Sequence, residues 1–230
     1  MRSAIHIWGD SIARGVFYNE QRERYAISSV RYTAALEDAL GVPVQNHAVM
    51  GMTSVDGLAA FLKSTPADGS LADSSLCAIE FGGNDCDLDW AYVAAHPQDD
   101  IAAKIPLPQY RKALRGFVAA AKSRGMKPLL VTPPPLHGPR YFRWVTRNLD
   151  QAAVLDALRG DMHSIYRWQE RYALAMRDVA METSCAILDM RDAFLAQQNY
   201  EALMCIDGIH PNEEGHRLIA QTVVDAAKRA

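Results

Sequence analysis

The chain has 230 residues, 49% hydrophobic and 22% charged, with Gly 14 and Pro 11. That is the make-up of one folded domain able to bury a core without staples, and it excludes collagen-like and disordered classes. With 24 Lys plus Arg against 27 Asp plus Glu, the formal charge is -3 and no long run of one sign occurs, which argues against a nucleic-acid or polybasic membrane protein.

The opening Met1-Arg2-Ser3-Ala4-Ile5-His6-Ile7-Trp8-Gly9 leaves only about five residues between the first charge and the first turn signal, too few for the apolar region of a secretory leader. Later apolar runs fall well short of the roughly 20 residues that span a bilayer. The expectation is a cytoplasmic protein without membrane insertion. Short apolar runs at Ala4 to Trp8, Val44 to Ala48, Leu76 to Phe81, Lys127 to Thr132 and Ala186 to Asp189 read as strands. Helix-compatible stretches lie between them: Ser29 to Leu40 closed by Gly41, Ser54 to Leu62, and Pro108 to Arg124 closed by Gly125. A last helix runs from about Asn212 to Lys228. The alternation predicts one α/β domain over 1–230, a three-layer α/β/α stack around a five-stranded parallel sheet.

One stretch breaks the alternation. Pro133-Pro134-Pro135 ends the fourth strand, and roughly 50 residues precede the fifth, several times a usual connection. Residues 136–182 therefore read as a helical lid insertion, with helical pieces at Gln151 to Leu158 and His163 to Glu182. Tyr141, Phe142, Trp144, Tyr166, Trp168 and Tyr172 fall within it. At helical spacing such residues are more often packing than ligand surface; the functional alternative is a pocket wall with Arg140, Arg143 and Arg147 at its rim. Residues 137–172 hold six Arg but also four Asp or Glu, which disfavours nucleic-acid binding there.

Cys77, Cys86, Cys185 and Cys205 form no C-x-x-C pair, so a structural zinc site is not expected and reduced thiols are.

In open parallel sheets functional residues gather beyond the carboxyl ends of the strands. Those positions hold Gly9-Asp10-Ser11 after the first strand, Val49-Met50-Gly51 after the second and Gly82-Gly83-Asn84-Asp85 after the third. Asp207-Gly208-Ile209-His210-Pro211 follows the fifth and a short helix. Ser11 can present its hydroxyl at the sheet edge, though an Asp or Ser here also reads as a helix N-cap. The three-residue separation of Asp207 and His210 lets the carboxylate fix the imidazole tautomer, leaving the other nitrogen to accept a serine proton. The plainer reading is a solvated loop with Pro211 at a helix entrance. Gly51 offers an unobstructed backbone N–H, and Asn84 a neutral amide donor, where an ester carbonyl would become an oxyanion. Singly, each is also an ordinary turn residue. Together, at one sheet edge, they point to acyl transfer.

These blocks resemble those of the SGNH hydrolases, also called GDSL esterases and lipases. The likeness is carried by Gly9-Asp10-Ser11-Ile12, Asn46 with Gly51, Gly82-Gly83-Asn84-Asp85 and Asp207-Gly208-Ile209-His210-Pro211, and Ile12 replaces the Leu of the GDSL name. The resemblance implies a flavodoxin-like fold with strand order 2-1-3-4-5. It implies Ser11 as nucleophile, His210 as general base and Asp207 as orienting acid. It also implies an oxyanion hole of Ser11 N–H, Gly51 N–H and the Asn84 side chain. The expected activity is serine-dependent hydrolysis of carboxylic esters, short-chain acyl or acetylated carbohydrate, with a small-molecule ester as partner and no metal or organic cofactor. A lysophospholipase, thioesterase or acyltransferase would use the same triad, and a non-catalytic binding module is the contrasting class. A metal site from His210, His216, Asp85, Asp87 and Asp89 lacks the H-E-x-x-H pattern, and no phosphate-cradling G-x-x-x-x-G-K-[ST] occurs. Natural substrate and oligomeric state stay open at this level.

Overall fold

The computed structural model describes residues 4–65 and 75–229. In chain order the elements are β1 (Ile5–Gly9), α1 (Ser11–Arg14), β2 (Val16–Asn19), β3 (Arg24–Ile27), α2 (Tyr32–Leu40), β4 (Val44–Asn46), α3 (Ser54–Ser64) and β5 (Leu76–Glu80). There follow α4 (Trp90–Ala95), α5 (Leu107–Ser123), β6 (Lys127–Val131), α6 (Gly138–Val145), α7 (Gln151–Ala157) and α8 (Ser164–Thr183). The chain then forms β7 (Ala186–Leu188), α9 (Met190–Leu195) and α10 (Glu213–Arg229).

Five strands make one parallel sheet in the order β4-β1-β5-β6-β7. Counting only strands of this sheet, that is the expected 2-1-3-4-5. Its side chains alternate strictly, as a sheet covered on both faces requires. Trp8, Cys77 and Ile79 point to one face, where they meet Phe61, Leu114 and Phe117 of α3 and α5. Ile5, Ile7 and Ala78 point to the other, against Leu36 of α2 and Ile219 of α10. Each large apolar side chain buried this way contributes roughly 1.5–3 kcal/mol relative to exposure. Registers such as Gly9 opposite Glu80 and Glu80 opposite Val131 align the strand ends, so the loops carrying the candidate residues emerge along one edge.

The sequence reading differs from the structure in four places. First, residues 16–27 form an antiparallel hairpin, β2 against β3, closed by a 3₁₀ turn whose Asn19 side chain accepts from Arg22 N at 3.0 Å. Second, α2 starts at Tyr32 instead of Ser29. The serines are committed elsewhere: Ser28 Oγ donates to Glu213 Oε2 at 2.6 Å and Ser29 N to Glu213 Oε1 at 3.1 Å, tying this turn to the start of α10. Third, α4 and α6 are additional helices, and α4 packs with α6 and α7 in a separate apolar cluster containing Trp90, Tyr141, Phe142 and Val154. Fourth, α8 within 136–182 is the crossover helix between β6 and β7. Its Tyr172, Met176 and Val179 are buried in the main core beside α5. The remaining helices of this stretch, α6 and α7, belong instead to the separate apolar cluster.

Candidate active site

Ser11 is the first residue of α1, directly after β1. Asp10 caps that helix, its Oδ1 accepting from Ile12 N at 2.9 Å, which turns the chain sharply and leaves the Ser11 hydroxyl at the sheet edge. The helix is only four residues long and is further held by Asn46, whose Nδ2 donates to Ala13 O at 2.8 Å. The segment carrying Gly51 runs alongside: Val49 N donates to Gly9 O at 3.1 Å. Gly51 itself has φ +82 with open space where a Cβ would stand, so conformation, not room, favours glycine there.

From the other end of the chain, the 205–211 loop delivers an imidazole. His210 Nε2 lies 2.8 Å from Ser11 Oγ, and His210 Nδ1 lies 2.7 Å from Asp207 Oδ2. Asp207 is fully buried, and its Oδ1 accepts from both Ile209 N and His210 N at 3.1 Å. Burial alone would raise this carboxyl; the His210 ring and those two N–H groups outweigh it and hold Asp207 below its ordinary value. An ionised Asp207 accepting from Nδ1–H leaves Nε2 as the acceptor for the serine proton. Asn84 joins from the loop after β5, its Nδ2 donating to Asp10 Oδ2 at 3.1 Å and to Met52 O at 3.3 Å. A cleft of about 280 Å³ opens above these groups, lined by Tyr25, Asn84, Trp144, Arg147 and His210.

The sequence matches the profile of the GDSL-like Lipase/Acylhydrolase family over residues 7–218. The chain belongs to this family. It is accordingly a carboxylic ester hydrolase of the GDSL or SGNH type. A curated relative, the GDSL esterase/lipase WDL1 of Oryza sativa subsp. japonica, is 24% identical over 222 residues, spanning 94% of this chain and 77% of that one. A lipase/acylhydrolase from Enterococcus faecalis superposes with a TM-score of 0.65 at 21% identity, covering 100% of this chain and 97% of the other. The acetylxylan esterase Axe2 from Geobacillus stearothermophilus gives a TM-score of 0.65 at 21% identity, covering 98% and 94%. At such identities the structural likeness speaks for the fold.

Beneath Ser11 of this GDSL-like hydrolase lies a pair of carboxyl groups. Asp10 and Glu80, at the ends of the paired strands β1 and β5, are both buried and close enough for each charge to act on the other. Burial raises Asp10, and burial together with the Asp10 carboxyl raises Glu80 well above the carboxylate range. Two like charges in so dry a place cannot both persist. Asp10 already accepts from Ile12 N and Asn84 Nδ2, whereas neither Glu80 carboxyl oxygen has a hydrogen-bond partner among the described residues, so Glu80 is the member of the pair that burial drives toward its neutral form. Asp85 is a separate case: it accepts from Ser54 N and Ser54 Oγ at the start of α3, and burial pushes it up to about 6.

The residues weighed for a metal are dispersed. His216 Nε2 bonds Val16 O at 3.0 Å, Asp89 caps α4, and Asp87 accepts from Trp90, Lys104 and Tyr141. Among the described residues no cluster of His, Cys, Asp and Glu suits a metal. Of the aromatic residues in 136–182, Phe142 and Tyr172 are packing, whereas Tyr141 and Trp144 reach the cleft. Arg147 stacks on Trp144 at 4.3 Å and lines the cleft, while Arg140 bonds the carbonyls of Glu201 and Met204. Sequence reasoning missed Tyr25. Its ring sits 5.0 Å from that of His210, and burial with the nearby Asp207 carboxylate raises its phenol. The available signal was the aromatic and β-branched run Val16-Phe17-Tyr18 opposite Tyr25-Ala26-Ile27.

Proposed function

We propose that this hydrolase works through a serine acyl-enzyme, with Ser11 as nucleophile, His210 as general base and Asp207 as its orienting acid. The observation that carries the reading is the continuous path from the buried Asp207 through His210 to Ser11, with contacts of 2.7 and 2.8 Å. Ser11 Oγ attacks the ester carbonyl while His210 Nε2 takes its proton. The same imidazole then protonates the leaving alcohol, activates water against the acyl-enzyme and returns the proton to Ser11. Ser11 N–H, Gly51 N–H and Asn84 Nδ2 form the proposed oxyanion hole. Asn84 already uses its amide in two bonds, and the longer one, to Met52 O at 3.3 Å, is the one an oxyanion displaces. Neutral donors fixed in a dry site are each worth a few kcal/mol of barrier.

The substrates proposed are esters of short acyl groups, including acetylated carbohydrates. An aromatic and arginine-lined cleft supports this, and one structural neighbour is an acetylxylan esterase. The four buried, unpaired thiols suit a reducing compartment such as the cytoplasm. No described helix is long and apolar enough to cross a membrane. The test is hydrolysis of p-nitrophenyl acetate and acetylated sugars by the wild type, Ser11→Ala and His210→Ala. The reading expects turnover by the wild type and near-complete loss in both variants, which keep the wild-type fold by circular dichroism. Turnover that survives Ser11→Ala refutes it, as does a fold-intact wild type inert to every ester, which is what a binding module would show.

A further inference from the structure

The sheet face that meets α2 and α10 is incompletely covered. A parallel sheet ordinarily buries both faces, yet Leu76, Leu129 and Leu188 on this face are half-buried and Ala186, at its β7 edge, is exposed. Between the strands and the two helices lies a cavity of about 310 Å³. Ile7, Ala78, Leu129 and Val131 form its floor, and Leu36 of α2 with Ile219 and Val223 of α10 its roof. It follows β5 from the half-buried Leu76 to Glu80, about 13 Å at about 3.3 Å per strand residue. Ile12 and Ala13 close the inner end, so the cavity abuts the helix that begins with Ser11.

Glu80 is the one carboxyl among the described residues that line this space. It is 5% exposed, and neither of its oxygens has a hydrogen-bond partner among the described residues. The hydroxyl of Tyr32, which also lines the cavity, is already spent on Ala13 O. A buried polar group without a partner is costly, and a ligand that supplies the partner recovers that cost. We infer that this cavity is a binding site for an aliphatic primary alcohol of about eight carbons, its hydroxyl on the Glu80 carboxyl and its chain along β5. At about 30 Å³ for a water-sized group, the space holds about ten non-hydrogen atoms. The charge of the head group follows from its surroundings. Burial and the Asp10 carboxyl favour a neutral Glu80, and a neutral acid offers a donor and an acceptor, which a hydroxyl matches with one of each. A carboxylate head would add a charge to a dry place that already holds two carboxyls. An ammonium head would lose its water and bring three donors to an apolar lining.

The experiment is equilibrium titration of the full chain at neutral pH with octanol, butanol, octanoate and octylammonium, on the wild type, Ala226→Phe, Glu80→Leu and Glu80→Gln. Octanol is expected to bind the wild type about 10²-fold tighter than butanol, about fourfold for each further CH₂ buried. It should also bind at least about tenfold tighter than octanoate or octylammonium. Ala226 lines the cavity from α10 and is half-exposed, so a phenyl group there takes up space at the margin and should weaken octanol about tenfold or more. Glu80→Leu removes the partner of the hydroxyl and should weaken octanol about tenfold. Glu80→Gln still offers a donor and an acceptor and should bind within about threefold of wild type. Two disabling variants at separate places keep the test open if one fails to fold. No octanol binding by the folded wild type, or binding unchanged in both Ala226→Phe and Glu80→Leu, overturns the site. Octanoate or octylammonium binding tighter than octanol overturns the head-group assignment. A wild type that binds no octanol, sediments as a dimer and becomes a monomer with Ala226→Phe gives this face to a second copy, which overturns the site as well. Binding is read here without turnover, so its failure leaves the proposed ester chemistry untouched.

Discussion

Gly208 separates Asp207 from the residues leading to His210, and replacing it by Ala probes how tightly the loop sets the proposed triad. Its φ is +73, and a Cβ there would lie 2.6 Å from Tyr141 N and 2.8 Å from both Arg140 Cβ and His137 O. Two of those three atoms are backbone, at the start of α6, and the loop is bonded to it by His137 N donating to Gly208 O at 2.7 Å. The left-handed conformation costs a residue with a side chain about 1–2 kcal/mol, and forcing a methyl into a filled space about 1–3 kcal/mol more. The sum, about 2–5 kcal/mol, lowers Tm by about 4–20 °C in a chain of this length. Relief requires the loop to lift from α6, and a displacement of about 1 Å at His210 lowers kcat by about 10²-fold. Gly41→Ala, at the end of α2, is the control: its φ is +66 but nothing lies within 4 Å of the added methyl, so only the conformational part applies. Thermal melts and steady-state ester hydrolysis on both variants measure the difference. If Gly208→Ala melts within about 2 °C of wild type with full kcat, the argument that close packing of this loop on α6 positions His210 is refuted.

Other consequences follow from the same contacts. Asp207→Asn places an amide where Nδ1–H needs an acceptor, favours the wrong tautomer and should cut kcat by about 10³–10⁴-fold with little change in KM; a loss below tenfold contradicts the role given to Asp207. Glu80→Gln puts a neutral group of the same shape beside Asp10 and should retain activity, whereas Glu80→Ala opens space beside the carboxyl that caps α1 and accepts from Asn84, and should lower kcat. Because folding raises the Glu80 pKa, the native state holds the proton longer than the unfolded chain. Its share of stability therefore declines as pH rises from the ordinary glutamate value of 4.5 toward the folded value. Glu80→Gln should flatten that decline in urea titrations, and an unchanged slope argues against the raised Glu80 value. Asp207 and Glu213 work in the opposite sense: their depressed values give stability that is complete above the ordinary 3.8 and 4.5 and is lost as pH falls through the folded values. Tyr25→Ala removes the ring over His210 and should lower kcat/KM several-fold without abolishing Ser11 chemistry; near-wild-type kinetics would show the hairpin to be a bystander.

The sheet strands were legible because both faces of the sheet are covered, which produces short continuous apolar runs such as Leu76-Cys77-Ala78-Ile79. The candidates Ser11, Asp207 and His210 were legible because each sits where a strand or tight loop ends, within two residues of a glycine. The hairpin was not, because its strands are four residues each and half-exposed, with no Asn-Gly or Asp-Gly turn to mark them. The role of α8 was also hidden. The long gap after Pro133 suggested that everything to residue 182 was inserted, yet a parallel pair still requires a crossover helix, and α8 supplies it with Tyr172, Met176 and Val179 in the core. The Asp10–Glu80 pair was invisible for a different reason: residues 70 positions apart meet only through the β1–β5 register.

The most direct test of the proposed chemistry is covalent labelling. A fluorophosphonate mimics the tetrahedral species and reacts only with a serine activated by its base, so the intact enzyme should gain one adduct per chain. Peptide mass analysis should place it on Ser11, with His210→Ala labelled far more slowly and Ser11→Ala not at all. An adduct on another residue, or none on a folded wild-type chain, would contradict the account.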